Sequence, residues 1–174
     1  MRNRMLLVGC LAALVIPSSL RAQDAKPIQL ALLSPLQLVG EESAIRGVRL
    51  SLLYGKNTDL TGIDLSLVGH TTGDFVGVQF GGVGIADGNF KGWQTTWVNI
   101  VEGDFEGFQN GLVNSAQSGR GFQWAVVNHS GSFRGFQLAI VNYAAQLDGL
   151  QIGLVNIIKE GGRFPVFPIV NWGR

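Results

Sequence analysis

A glycine followed by an apolar residue recurs at Gly47, Gly62, Gly77, Gly92, Gly107, Gly121, Gly135 and Gly149, at intervals of 15, 15, 15, 15, 14, 14 and 14 residues. So fixed a period restricts the chain to architectures in which each repeat is one structural unit packed on the next. With the glycine as position zero, positions one, three and five are mostly large and apolar, as in Phe136, Leu138 and Ile140. Position two is glutamine at Gln79, Gln94, Gln109, Gln123, Gln137 and Gln151. Position four is small, position six is mostly valine, and position seven settles to asparagine at Asn99, Asn114, Asn128, Asn142 and Asn156. Alternation with a period of two predicts one strand of about seven residues per repeat.

The large apolar face of that strand is expected to point inward, which places Trp93, Trp97 and Trp124 in the core. A further apolar position lies two residues before the glycine, at Leu60, Phe75, Phe90, Phe105, Phe133 and Leu147. It stands three residues from position one, so a corner at the glycine is expected to turn both inward. The opposite strip is then the candidate interaction face: Val83, Val98, Val113, Val127, Val141 and Val155, flanked by Gln94, Gln109, Gln123, Gln137 and Gln151. The asparagines, with Asn171 added, are expected to stack as a structural ladder. Amides repeated every ~4.8 Å can hydrogen-bond along the stacking axis.

Two all-β architectures place one strand in each repeat. A parallel β-solenoid of 14–15-residue coils stacks equivalent positions directly. A small antiparallel up-and-down β-barrel of the outer-membrane type is the alternative, since bulky and small or polar side chains alternate. The barrel's turns would alternate between two ends and double the period, and consecutive repeats show no such alternation. The solenoid is therefore the expected fold.

The ends fit capped coils. Pro27-Ile28-Gln29-Leu30-Ala31-Leu32 matches the repeat with proline in place of glycine, and Pro165 to Asn171 fits the strand register one step beyond Gly149. Proline at a terminal strand removes donors that would recruit another chain. The expected organisation is a signal peptide over 1–22, a cap strand and loop over 23–46, eight repeats over 47–163 and a C-terminal cap over 164–174.

The first segment has Arg2 and Arg4, an apolar run from Met5 to Ile16, and small residues before a cut between Ala22 and Gln23. This is the order of a secretory signal. The run is short of the ~20 residues a retained membrane helix needs. Leu7-Val8-Gly9-Cys10 has the look of a lipobox but sits too early in the apolar run, so Cys10 reads as a small residue of the signal core. Without residues 1–22 the chain keeps 10 basic and 12 acidic residues, a net charge of −2, and no cysteine. Packing rather than disulfides must hold it together, and no basic stripe suits nucleic acid.

Chemistry-bearing residues are sparse. His70 and His129 are four repeats apart, too distant to share a metal. Asp59, Asp74 and Asp104 align three residues before their glycines, with Asn89 in the same row. Acids so aligned could line a groove of a carbohydrate-active β-helix, but turns favour these residue types without any catalysis. The sequence holds no nucleophile elbow, phosphate loop or metal-spaced cluster. The expectation is no catalytic residue, no metal and no cofactor.

Gly149-Leu150-Gln151-Ile152-Gly153-Leu154-Val155-Asn156 reproduces a tandem Gly-x-Gln-x-Gly-Leu-Val-Asn repeat, and Gly107 to Asn114 matches it with Asn110 at a tolerated position. On these residues, over about 27–174, the chain resembles bacterial secreted surface-repeat proteins known from leptospires and other Gram-negative lineages. The repeats at Gly47 and Gly62 depart from the pattern, with Arg49 and Asp64 for glutamine and Tyr54 and Gly69 for asparagine. The resemblance implies export to the periplasm, outer membrane or surface of a Gram-negative-type bacterium, and implies no activity. The expected role is a non-enzymatic scaffold or interaction module. Its expected partner is a protein or envelope component, or a second copy through the flat strand face, with membrane association left open.

Overall fold

The computed structural model describes residues 25–174. The expected signal peptide, its cut after Ala22 and the position of Cys10 lie outside the described residues. The strands β3 (Ile45–Asn57), β4 (Leu60–Thr71), β5 (Phe75–Ala86), β6 (Phe90–Asn110), β7 (Val113–Trp124), β8 (Val127–Leu138) and β9 (Val141–Glu160) pair in chain order. Every one of these pairings is parallel. The chain is a β-solenoid of about eight coils, and parallel neighbours exclude the antiparallel barrel.

Register holds like against like: Gly47 pairs with Gly62, Gly62 with Gly77, and Gly121 with Gly135. The step from 15 to 14 residues falls at a register shift between β6 and β7. Val101 pairs with Ala116 and Asp104 with Ser118, so Gln117 alone spans what Glu102 and Gly103 span one coil earlier. In the first coil Ser51 pairs with Ser66 and Tyr54 with Val68, which makes one residue extra. Gly55, not Tyr54, therefore fills the asparagine position there.

Position −2 lies inside as expected, but the two faces of the strand beyond the glycine are the reverse of the expected ones. Positions −2, +2 and +4 point inward, and +1, +3 and +5 point out. This is plain strand alternation carried straight through the glycine. The corner expected at the glycine is not needed, because −2 already shares a face with +2. Alternation breaks instead between +4 and +7, where the coil turns. A 15-residue coil encloses a space too thin for three large side chains per strand. It admits one file of Leu60, Phe75, Phe90, Phe105, Phe133 and Leu147, packed against small or slender residues such as Ala86, Val101, Ala116 and Ala144 at +9. Phe75 and Phe90 stack with ring centroids 4.6 Å apart.

The repeat glycines sit at φ between +129° and +150°, a region L side chains avoid. Space forbids a side chain as well: a Cβ on Gly92 would run into the carbonyl oxygen of Gly77 in the coil below.

Both ends are closed. At the N-terminal end β1 (Lys26–Leu33) pairs parallel with β3, and β2 (Leu36–Gln37) folds back on β1. Val39 then lies over the end of the apolar file. Gln29 holds it there, its Nε2 donating to the Val39 carbonyl at 2.8 Å and its Oε1 accepting the Val39 N–H at 2.9 Å. At the C-terminal end the expected parallel register is not kept. The chain reverses near Gly161 and Gly162, and β10 (Val166–Gly173) pairs antiparallel with β9, setting Asn171 opposite Gln151. Pro165 accepts the Ile158 N–H through its carbonyl, and Pro168 lies exposed on the outer strand, where a donor is unwanted.

Candidate functional site

The glutamines expected on an interaction face are inside. Gln94, Gln109, Gln123, Gln137 and Gln151 have no exposed surface. Each Nε2 donates to the Oε1 of the glutamine one coil earlier, from Gln94 to Gln79 at 2.8 Å up to Gln151 to Gln137 at 2.8 Å. An amide carries a donor and an acceptor on one planar group, so a stack can satisfy itself without water. That is why glutamine can be buried here at all.

The ladder ends on a charge. Gln79 donates to Asp64 Oδ2 at 2.7 Å, and Arg49 grips the same carboxylate through Nε and Nη2 at 2.9 and 2.7 Å. Ser66 Oγ donates to Asp64 Oδ1, and Arg49 Nη1 donates to the His70 carbonyl. Both charged side chains are completely buried. Gly69 leaves the room they need, since a Cβ there would meet both Asp64 and Arg49. The departures from the repeat at positions 49, 64 and 69 are thus one device: an ion pair that terminates the donor end of the stacked amides.

The asparagines stack beside them in the opposite sense. Asn99, Asn114, Asn128 and Asn142 each donate to the Oδ1 of the asparagine one coil later, at 2.7 to 2.9 Å. The second N–H of Asn99, Asn114, Asn128 and Asn142 reaches the +3 carbonyl of the next coil, at Asn110, Trp124, Leu138 and Ile152, which pins the corner. Two neighbouring rows of amide dipoles therefore run antiparallel and offset one another. Asn156 closes the row on the Phe167 carbonyl. Asn171 is buried but outside the ladder, donating to the Phe164 carbonyl instead.

The valines of the expected face take an intermediate place. Val83, Val98, Val127 and Val141 are half-buried along the corner, with Val113 and Val155 slightly more open. The broad exposed surface is formed by the side chains expected in the core. Trp93, Trp97 and Trp124 are 50%, 65% and 52% exposed, and Leu154 is 69% exposed. Positions +1, +3 and +5 of the eight coils carry no charged residue. Along +1 runs an aromatic ridge, Trp93 against Phe108 and then Phe122 and Phe136, with centroid separations of 4.7 to 5.4 Å. Toward the N-terminal end the same face sinks into a shallow trough lined by Leu50, Leu52, Leu65, Leu67, Gly82 and Trp97. The outward rows thus form a contiguous apolar surface across the eight coils.

One edge of the face is charged. Position −1 carries Lys91, Glu106, Arg120, Arg134 and Asp148, joined by pairs Lys91–Glu106 at 3.4 Å, Arg120–Glu106 at 2.9 Å and Arg134–Asp148 at 2.7 Å. Hydrogen bonds from Arg120 and then Lys91 hold the Glu106 carboxyl below its ordinary pKa.

The aligned row of Asp59, Asp74 and Asn89 bonds to the backbone of the next coil. Asp59 Oδ1 accepts the Asp74 N–H, Asp74 the Asn89 N–H and Asn89 the Asp104 N–H, all at 2.8 to 2.9 Å. His70 bridges Tyr54 and Asp87, each at 2.9 Å, while His129 stacks on Tyr143. Among the described residues no group of three His, Cys, Asp or Glu could hold a metal ion. No family model, curated protein or solved structure matches the chain.

Parity was the signal for the outward face. The aromatic residues at −2 and the glutamines at +2 lie four apart on one strand, so they share a side.

Proposed function

We propose that this is a non-enzymatic, exported repeat protein of the cell envelope or cell surface, an interaction module that works through its outer apolar face. The observation that carries this is the charge-free, exposed surface of positions +1, +3 and +5, which runs through all eight coils. Its large side chains contribute little to the interior, which the Phe file and the amide ladders already fill. Leaving such area in water is costly, at about 25 cal/mol per Å² of apolar surface, and a partner recovers that free energy. The signal-like N-terminus and the resemblance to secreted repeat proteins supply the setting.

The test is a photo-crosslinking amino acid at position 97 of the full chain in living cells, with the same group at the exposed residue Gln117 as control. Adducts are expected from position 97 and not from 117, in the envelope fraction. Absence of adducts from position 97, or equal yields from both positions, contradicts the reading.

A further inference from the structure

We infer that the apolar face closes on a second copy of this chain, in an antiparallel two-fold arrangement; this rests on the docking role proposed above and names its partner. Three observations select a second copy over a lipid surface or an unrelated partner.

The first is size. Eight coils at ~4.8 Å and five strand residues at ~3.3 Å, with side-chain margins, give a face of about 40 by 18 Å, or roughly 700 Å². A stable protein interface needs ~800 Å² of accessible surface per partner, and a corrugated face exposes more than its plane. Two sheets pack face to face at ~10 Å, which such outward side chains can bridge.

The second is the charged edge. If the two-fold axis runs along the strands, each row meets the same row of the second copy with coil order reversed, and full overlap places the axis between the coils of Gly92 and Gly107. Along −1, Arg46 then faces Asp148 of the second copy, and Lys91 faces Glu106 of the second copy. Thr61 meets Arg134 and Val76 meets Arg120, so no like charges are opposed. Among the described residues no ion pair within the chain engages Arg46. An axis along the solenoid would set this charged row against apolar ones. A row of mixed sign also gives no pull toward anionic lipid.

The third is the middle of the face. Thr95 and Asn110 are the polar exceptions along +3, and the same register sets them opposite each other. Trp124 comes over Phe80, and Val126 over Gly82 in the trough, where a projecting residue meets a hollow. In an isologous contact each such match occurs twice.

The experiment is sedimentation equilibrium on the purified full chain, with circular dichroism as the fold control. A dimer with Kd in the micromolar range or tighter is expected, as is normal for interfaces of this size. Trp124→Glu should give a monomer with unchanged dichroism. Arg46→Asp should weaken the dimer several-fold, and Asp148→Arg added to the same chain should restore it. Three results overturn the inference: a monomeric wild-type chain at micromolar concentration, a dimer indifferent to Trp124→Glu, or failure of the charge swap to rescue. A monomer that pellets with phosphatidylcholine vesicles also overturns it, assigning the face to lipid. Adducts from position 97 to another protein would in that event still uphold the docking role, and their absence would end both.

Discussion

Gln109→Leu is expected to lower the unfolding free energy by about 2–6 kcal/mol, more than an internal polar-to-apolar change normally costs. Gln109 sits in the middle of the amide stack, donating to Gln94 Oε1 and accepting from Gln123 Nε2. Leucine fills the space but leaves an acceptor on one side and a donor on the other, both out of reach of water. Each orphaned buried group costs about 1–3 kcal/mol, and there are two. The exposed glutamine Gln117 provides the control: Gln117→Leu should stay within about 0.5 kcal/mol of the wild type. Urea unfolding followed by far-ultraviolet circular dichroism, at one protein concentration for all variants, reads both. Equal losses for the two substitutions would count against the buried stack.

Gly92→Ala is the second large effect, again expected at about 2–6 kcal/mol. Holding a residue with a side chain at φ +138° costs about 1–3 kcal/mol. The added methyl must also displace the Gly77 carbonyl of the neighbouring coil, an overpacking cost of about 1–3 kcal/mol with no flexible group to yield. Coils touch only their neighbours, so a defect at the fourth of eight separates two short stacks, each less able to stand alone. A broadened or biphasic urea transition is therefore expected as well as a lower midpoint. A sharp transition at the wild-type midpoint would show that the glycine is a bystander.

The repeat made the solenoid readable because parallel stacking is the arrangement that puts identical residues in contact at every level. The glycine spacing, the asparagine ladder and the proline substitution at the first strand all follow from that one geometry. The face assignment failed for a physical reason. Ranking side chains by hydrophobicity places tryptophan inside and glutamine outside, and in most folds that is right. In a narrow coil the ranking is overridden. The inside is too thin for three large residues per strand, while a stacked amide loses its hydration and regains both hydrogen bonds from its neighbours. Parity carried the answer: Phe105 at −2 and Gln109 at +2 must share a side of one strand, whichever side that is. Invoking a corner at the glycine removed the conflict by bending the strand rather than inverting it.

The Arg49–Asp64 pair was less legible. Two charged residues in a glutamine row read as degeneracy of an end repeat, and only coordinates show the guanidinium turned onto the carboxylate with Gly69 clearing the space. The antiparallel last strand was also hidden. Val170 and Asn171 keep the spacing of a parallel coil, while the reversal falls at Gly161-Gly162, a Gly-Gly pair that no other connection between repeats carries.

What the fold and the docking role share is a core of stacked amides beneath an apolar exterior. The most direct measurement is hydrogen exchange of glutamine side-chain amides by heteronuclear NMR on the labelled protein, comparing Gln94, Gln109, Gln123 and Gln137 with Gln117. The ladder amides should exchange only through global unfolding, on the timescale of the most protected backbone amides, while the Gln117 side chain exchanges at the rate of free glutamine. Ladder amides that exchange as fast as Gln117 would mean that the glutamines face water and that the interior is built the other way round.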